Sequence, residues 1–180
     1  MADVHSKLIR SYNMSKIKGK DTKPELMVRK YLFSHGFRYR VNVNVLPGKP
    51  DIVLPKYKTA IFINGCFWHG HEHCKFYVLP KTRTEWWKQK IDRNKQRDIE
   101  VREKLRYIGW RTMVIWECQL KPRNKDKTLD AIVSALNQVF IDKYKIIPKR
   151  YSTSKDNLSI VAEEISPYQI LKKDIDGNEG

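Results

Sequence analysis

Residues 50–74 read "PDIVLPKYKTAIFINGCFWHGHEHC". Two short apolar runs, "DIVL" and "TAIFI", flank the turn "PKYK" and predict neighbouring strands joined tightly. The second run ends at Asn64-Gly65. The chain then enters a loop with three of its five histidines and two of its three cysteines. Just upstream, "RVNVNVL" (40–46) alternates with period two and predicts a first strand. Asp51 would then open the second strand of a meander, with Asn64 just past the third.

Working outward, "WRTMVIWEC" (110–118) predicts a further strand. Before the meander, "TKPE" (22–25) is a capping-box pattern with Thr22 as N-cap and Glu25 at N3, and Pro24 is tolerated in the first turn. That helix is expected to reach about Ser34, bury Val28, Tyr31 and Leu32, and stop at Gly36. A long helix is expected from an N-cap at Thr84 to Gly109, with Trp87, Ile91, Val101, Leu105 and Ile108 as its inner stripe. Two polar residues, Asn94 and Asp98, interrupt that stripe. A last helix over 128–140 buries Leu129, Ile132, Val133, Leu136 and Phe140. The order α-α-β-β-β-α-β-α predicts an α/β fold with a mixed sheet flanked by helices.

With 180 residues, 41% of them hydrophobic, the chain can build one ordinary core. No apolar run is long enough to span a membrane, and no secretory h-region opens the sequence. A cytoplasmic, reducing location is therefore expected, in which three cysteines read as metal ligands or free thiols before disulfides. Lys plus Arg number 36 against 20 Asp plus Glu, a net charge of +16. Residues 156–180 hold six acids and two lysines, so the preceding 155 residues carry +20. Such a body favours a polyanion, most simply nucleic acid. Three regions are expected: a basic arm (1–20) suited to lie on a phosphate backbone, a main domain (21–141) and a C-terminal appendage (142–180).

Cys66, His71, Cys74 and Cys118 offer three sulfurs and one imidazole, the donor set of a closed structural zinc site. His73 rivals His71, but it directly precedes Cys74, and adjacent residues chelate one tetrahedral ion only with strain. Four protein ligands leave no open position, so catalysis needs other groups. A strand-borne carboxylate such as Asp51 suits a hard cation such as Mg²⁺, with a second oxygen from a neighbouring strand. Pro-Asp is also an ordinary way to begin a strand, and Glu25 is equally a capping acid. His69 reads either as a solvated histidine or as a base near physiological pH. Phe67 and Trp68 read either as core or as wedges that stack on bases.

Together, "RSYNMSKIKGKDTKPE", "LPGKPDIVLPKYKTAIFINGCFWHGHEHC", "PKTRTEWWKQKIDRNKQRD" and "YIGWRTMVIWEC" resemble the very-short-patch-repair (Vsr-type) DNA mismatch endonucleases over about residues 10–120. The resemblance implies a restriction-endonuclease-like fold and nicking of duplex DNA 5′ of the thymine in a T·G mismatch. It implies Mg²⁺ held by Asp51 and the Ile63 carbonyl, with Glu25 reaching the metal through water and His69 helping to activate the attacking water. It further implies zinc on Cys66, His71, Cys74 and Cys118. Phe67, Trp68 and Trp87 would enter the duplex from the major groove, while the arm around Met14 approaches the minor groove. Other mismatch-repair proteins are implied as partners, and a monomeric state is expected. The best-known members carry a second histidine where this chain has Asn64; an amide can orient water but cannot take a proton near pH 7.

Three other readings compete. A restriction-type enzyme on the same fold would cut perfectly paired DNA. A zinc-organised DNA-binding module would bind without turnover, and an RNA-binding protein would prefer RNA to duplex DNA.

Overall fold

The computed structural model describes residues 6–16 and 19–144. Helix α1 spans Lys7–Ser15 and α2 Lys23–Ser34. They are followed by strands β1 (Ile52–Leu54) and β2 (Thr59–Asn64), helix α3 (Thr84–Tyr107), strand β3 (Arg111–Trp116) and helix α4 (Lys125–Tyr144). Single 3₁₀ turns lie at Pro55–Tyr57 and Glu117–Leu120. The region assigned from sequence to a C-terminal appendage lies outside the described residues beyond Tyr144.

The strands pair in the order β1-β2-β3. β1 runs antiparallel to β2, with Ile52 opposite Ile61 and Leu54 opposite Thr59. The link is the 3₁₀ turn that opens with Pro55 and closes at Lys58, whose φ of 43° reverses the chain. β2 and β3 are parallel, from Thr59 opposite Arg111 to Asn64 opposite Trp116. A parallel pair needs a long crossover, and α3 supplies it.

Side chains alternate across the sheet as strand geometry requires. Ile52, Leu54, Ile61 and Ile115 face a core with Val28 and Leu32 of α2 and Leu129, Ile132 and Leu136 of α4. Val53 and Ala60 face the opposite way, onto Leu105 of α3, Leu46 and the partly buried Val101 and Phe62. Helices thus cover both faces of the small mixed sheet. Because β1 is covered on both sides, all three of its residues are buried, which is why "IVL" shows no polar alternation.

Three expectations are corrected. The run 40–46 is not a strand. Arg40 alone pairs with Val53, through two 2.8 Å backbone hydrogen bonds. At Asn42, φ is 55°, which turns the chain away from the sheet. Thr84 does not cap α3: the N-cap position falls on Arg83 at φ 54°, and the Thr84 hydroxyl donates instead to the carbonyls of Pro80 and Lys81. Ile108 lies past the helix end and is exposed, so the buried residues of α3 are Ile91 and Leu105.

Thr22 does cap α2, its hydroxyl accepting from the Glu25 N–H at 3.5 Å. Glu25 reaches back one residue further than a standard capping box, accepting from the Asp21 N–H at 2.9 Å. Val28 and Leu32 are buried as expected, and Tyr31 is half-buried.

Candidate active site and metal centre

The parallel register explains how distant cysteines meet. Asn64 and Trp116 are paired, so the chain two residues beyond each lies at the same end of the sheet. Cys66 and Cys118 occupy those positions. The loop after β2 folds back through backbone hydrogen bonds from His69 to Gly65 and from His71 to Cys66. The ligand atoms of Cys66, His71, Cys74 and Cys118 then lie within 4.8 Å of one another. His71 Nδ1 is 3.4 Å from Cys118 Sγ, and the His71 ring stacks on Trp116 at 4.1 Å with a 2° interplanar angle. His73 is exposed at a φ of 56° and does not join the group.

Without an ion, burial keeps two of the three thiols protonated, so a metal bound here would have to displace their protons. Burial pushes the Cys66 thiol up to about 12 and raises Cys118 as well. The backbone N–H of Phe76 lowers the Cys74 thiol, and burial lowers His71, favouring the neutral imidazole. Three sulfurs and one imidazole nitrogen that converge in this way form a donor set able to hold a tetrahedral cation. At Zn–S distances of about 2.3 Å, tetrahedral neighbours stand about 3.8 Å apart, which small side-chain adjustments reach from here.

A face of α3 holds this loop in place. Ile91, Asn94, Lys95 and Asp98 recur at i, i+3, i+4 and i+7, one helical stripe. Asn94 Nδ2 donates to the Trp68 carbonyl at 2.9 Å, Lys95 Nζ to Glu72 at 2.8 Å, and His69 Nδ1 meets Asp98 Oδ2 at 2.5 Å. Gly70 rests directly on the stripe. Its φ is 58°, and a Cβ there would come within 2.3 Å of Lys95 Cε and 2.7 Å of Ile91 Cγ2. The two polar residues that break the apolar stripe of α3 are therefore its grip on the loop.

Across the cleft stand the carboxylates. Asp51 Oδ2 accepts from the Ile63 N–H at 2.7 Å. The N–H and C=O of one strand residue project to the same edge, so the Ile63 carbonyl lies on Asp51's side of β2. Burial raises the Asp51 carboxyl to about 6. Glu25 adds to the rise, while the Ile63 N–H, Arg29 and His69 oppose it. Negative charge at Asp51 is thus under-compensated, a setting that a divalent cation would relieve. Glu25 is buried, with Oε1 accepting from the Thr22 hydroxyl at 2.8 Å and Oε2 from Arg29 at 2.9 Å. Asp51, Glu25, Ile63, Asn64, His69 and Asp98 all line one open cleft.

An ionised carboxylate only accepts, so the contact with Asp98 places the His69 proton on Nδ1 and leaves Nε2 as the basic nitrogen. Asn64 is buried, and its side chain makes no hydrogen bond among the described residues. Next to the cleft, Phe67, Trp68 and Trp87 form one cluster, with centroids 5.2 Å (Phe67–Trp68), 5.3 Å (Phe67–Trp87) and 5.9 Å (Trp68–Trp87) apart. They are half-buried in one another. Trp86 packs on Trp87 at 4.8 Å, and Lys90 Nζ lies 4.9–5.4 Å from the three indole rings. Met14 is exposed on α1, outside the cleft lining.

Sequence reasoning did not single out Arg29, Asp21 or Trp86. Trp86 is adjacent to Trp87 in "EWW", and Arg29 follows Glu25 by four residues, an ion-pair spacing on a helix. Either spacing could have pointed to them.

The sequence model for the family described as DNA mismatch endonuclease Vsr matches residues 2–75. The type II nicking enzyme V.NmeAIP of Neisseria meningitidis is 51% identical over 121 residues, which cover 67% of this chain and 86% of that protein. The DNA mismatch endonuclease Vsr of Escherichia coli K12 is 45% identical over 125 residues, 69% of this chain and 80% of that protein. The type II nicking enzyme V.XorIIP of Xanthomonas oryzae pv. oryzae is 43% identical over 120 residues, 67% and 88% of the two chains.

Proposed function

The chain belongs to the Vsr family and is a DNA endonuclease, and from that premise we propose that it nicks one strand of duplex DNA 5′ of the thymine in a T·G mismatch. The observation that carries this reading is one loop serving both sides of the cleft. Residues 64–71 present His69 toward the Asp51 carboxylate, while Phe67 and Trp68 join Trp87 in an aromatic patch beside it. A base step opened by those rings would lie next to the carboxylates and the imidazole.

Asp51 and the Ile63 carbonyl are the groups to hold Mg²⁺, with Glu25 behind them. When bound, that ion neutralises charge on the phosphodiester and polarises its P–O bonds. His69 accepts a proton from the attacking water at Nε2, and Asp98 keeps the ring oriented through Nδ1. Asn64 contributes an amide that can orient water or phosphate through hydrogen bonds without exchanging a proton. Cys66, His71, Cys74 and Cys118 would hold a zinc ion that fixes the loop, and with all four positions taken by protein it would supply nothing to the proton transfer.

The fold reading that goes with this function is restriction-endonuclease-like, and the domain reading is an arm (1–20) carrying Met14 to the minor groove, ahead of a catalytic domain (21–141). We place the enzyme in the cytoplasm at the nucleoid, acting as a monomer alongside other mismatch-repair proteins. Among the described residues, no helix is long and apolar enough to cross a membrane.

The test uses duplexes with a single T·G mismatch and matched T·A controls, each strand labelled in turn, with Mg²⁺ and with Asp51→Asn in parallel. A nick confined to the thymine strand of the mismatch and absent in the variant is the expected result. Equal nicking of matched duplex would instead favour a restriction-type enzyme.

A further inference from the structure

Arg29 sits where no cation was foreseen. Its side chain is buried on α2 behind the carboxylates, and three groups converge on it. Nη1 pairs with Asp21 Oδ1 at 2.5 Å, and Nη2 pairs with Glu25 Oε2 at 2.9 Å. Nη2 also donates to the backbone carbonyl of Asp51 at 3.2 Å. Nε is buried with no hydrogen-bond partner among the described residues. Burying a guanidinium and leaving one of its donors unsatisfied is costly, and the geometry shows what it secures.

We propose that Arg29 is a positioning residue for the nuclease reaction, joining Glu25 on α2 and Asp51 just ahead of β1 into one rigid acidic unit. This rests on the reading of that unit as the Mg²⁺ end of the cleft. Two halves of the unit come from elements distant in sequence. The Asp51 side chain is oriented from β2 by the Ile63 N–H, but among the described residues its backbone is hydrogen-bonded to α2 only through Arg29. Glu25 is held from three directions, by Thr22, by the Asp21 N–H and by Arg29. Only the last of these also reaches Asp51. Glu25 and Asp51 repel one another. A single guanidinium nitrogen, Nη2, bonded to both the Glu25 carboxylate and the Asp51 carbonyl fixes their separation and offsets the charge, while Nη1 anchors the guanidinium plane on Asp21.

A purely architectural role, tying α2 to the sheet, is the competing account. It would lower stability, DNA affinity and rate together. The positioning role lowers the rate at saturating Mg²⁺ and DNA, because Arg29 is buried and does not line the cleft.

The experiment is a double-mutant cycle on the full chain, using single-turnover nicking of the T·G duplex with Arg29→Met, Glu25→Gln and the pair. DNA affinity and melting temperature are measured for each protein. Arg29→Met is expected to slow nicking about a hundredfold, as for a misplaced catalytic group, with DNA affinity unchanged. In the Glu25→Gln background the same change is expected to add little. Multiplicative losses in the cycle, or a rate loss matched by lost DNA affinity, would overturn the proposal. Should Arg29→Met fail to fold, the cycle is run with Arg29→Lys, whose single ammonium cannot reproduce the contacts of both guanidinium nitrogens and is expected to recover only part of the rate. A wild-type chain that does not nick defeats the functional reading itself. A wild-type chain that nicks beside an equally fast Arg29→Met defeats only this inference.

Discussion

His69 Nδ1 and Asp98 Oδ2 lie 2.5 Å apart, joining the loop that carries three of the four converging metal donors to the middle of α3. Asp98 belongs to the helix and His69 to the loop, so the imidazole is oriented by an element that the loop itself does not control. Replacing Asp98 by Asn keeps the shape but no longer fixes which nitrogen carries the proton. We expect Asp98→Asn to lower the nicking rate about a hundredfold or more, with DNA affinity retained. In a His69→Ala background it should cost nothing further, measured in the same single-turnover assay.

Asp51 yields a stability prediction that needs no substrate. Its carboxyl is raised from the ordinary 3.8 to about 6, chiefly by burial. Between those values the folded chain keeps a proton that the unfolded chain has released, so the stability it contributes is lost as pH rises through that window. Asn never ionises and escapes the loss. Without Mg²⁺, Asp51→Asn should therefore be more stable than the wild type at pH 7 by about 2–3 kcal/mol. The gap should close by about pH 4, as read by thermal melts across pH. The same variant should not nick.

Cys118 contributes one of the four converging donors. We expect one zinc per chain in the wild type and none retained in Cys118→Ser. Loss of the site should cost about 3 kcal/mol, a fall of roughly 10 °C in Tm for a chain of this size. Metal analysis and melting of both proteins check this, and a Cys118→Ser chain with full metal content would remove the assignment.

Gly70 has no room for a methyl group, at a φ of 58° and with Lys95 Cε in the way. Gly70→Ala should destabilise by about 2 kcal/mol through backbone strain and displacement of Lys95 from Glu72. Because His69 is its neighbour, nicking should fall further than melting alone accounts for. Pairing Gly70→Ala with Lys95→Ala should recover part of the loss in Tm by removing the closest clash.

Much of this architecture was legible in the sequence because local signals agreed with the fold. "DIVL" and "TAIFI" form a pair, the Thr22 cap holds, and the four metal donors converge as their chemistry suggested. The failure at 40–46 has a local cause: alternation in "RVNVNVL" is real, but Asn tolerates the left-handed turn that Asn42 adopts, and one bridge is all that survives. Thr84 misled because a threonine beside a helix start can serve the preceding loop as well as cap the helix. Asn94 and Asp98 were visible as breaks in a stripe, but only the docked loop shows what they hold. Arg29 was hidden because an i, i+4 pair reads as surface decoration until burial is known.

The paired register of Asn64 and Trp116 has one more consequence, for the order in which the molecule can assemble. Cys66 and Cys118 are 52 positions apart in sequence, and everything between them is the loop, α3 and β3. No ion can be fully ligated until β3 has come alongside β2, so complete ligation certifies that the crossover has closed. Once ligated, the segment becomes a ring, and fraying of α3 can no longer let the two strand ends drift apart. Metal uptake followed in time during refolding would therefore be a clock for sheet completion, slow to start and coincident with the appearance of native β2–β3 pairing.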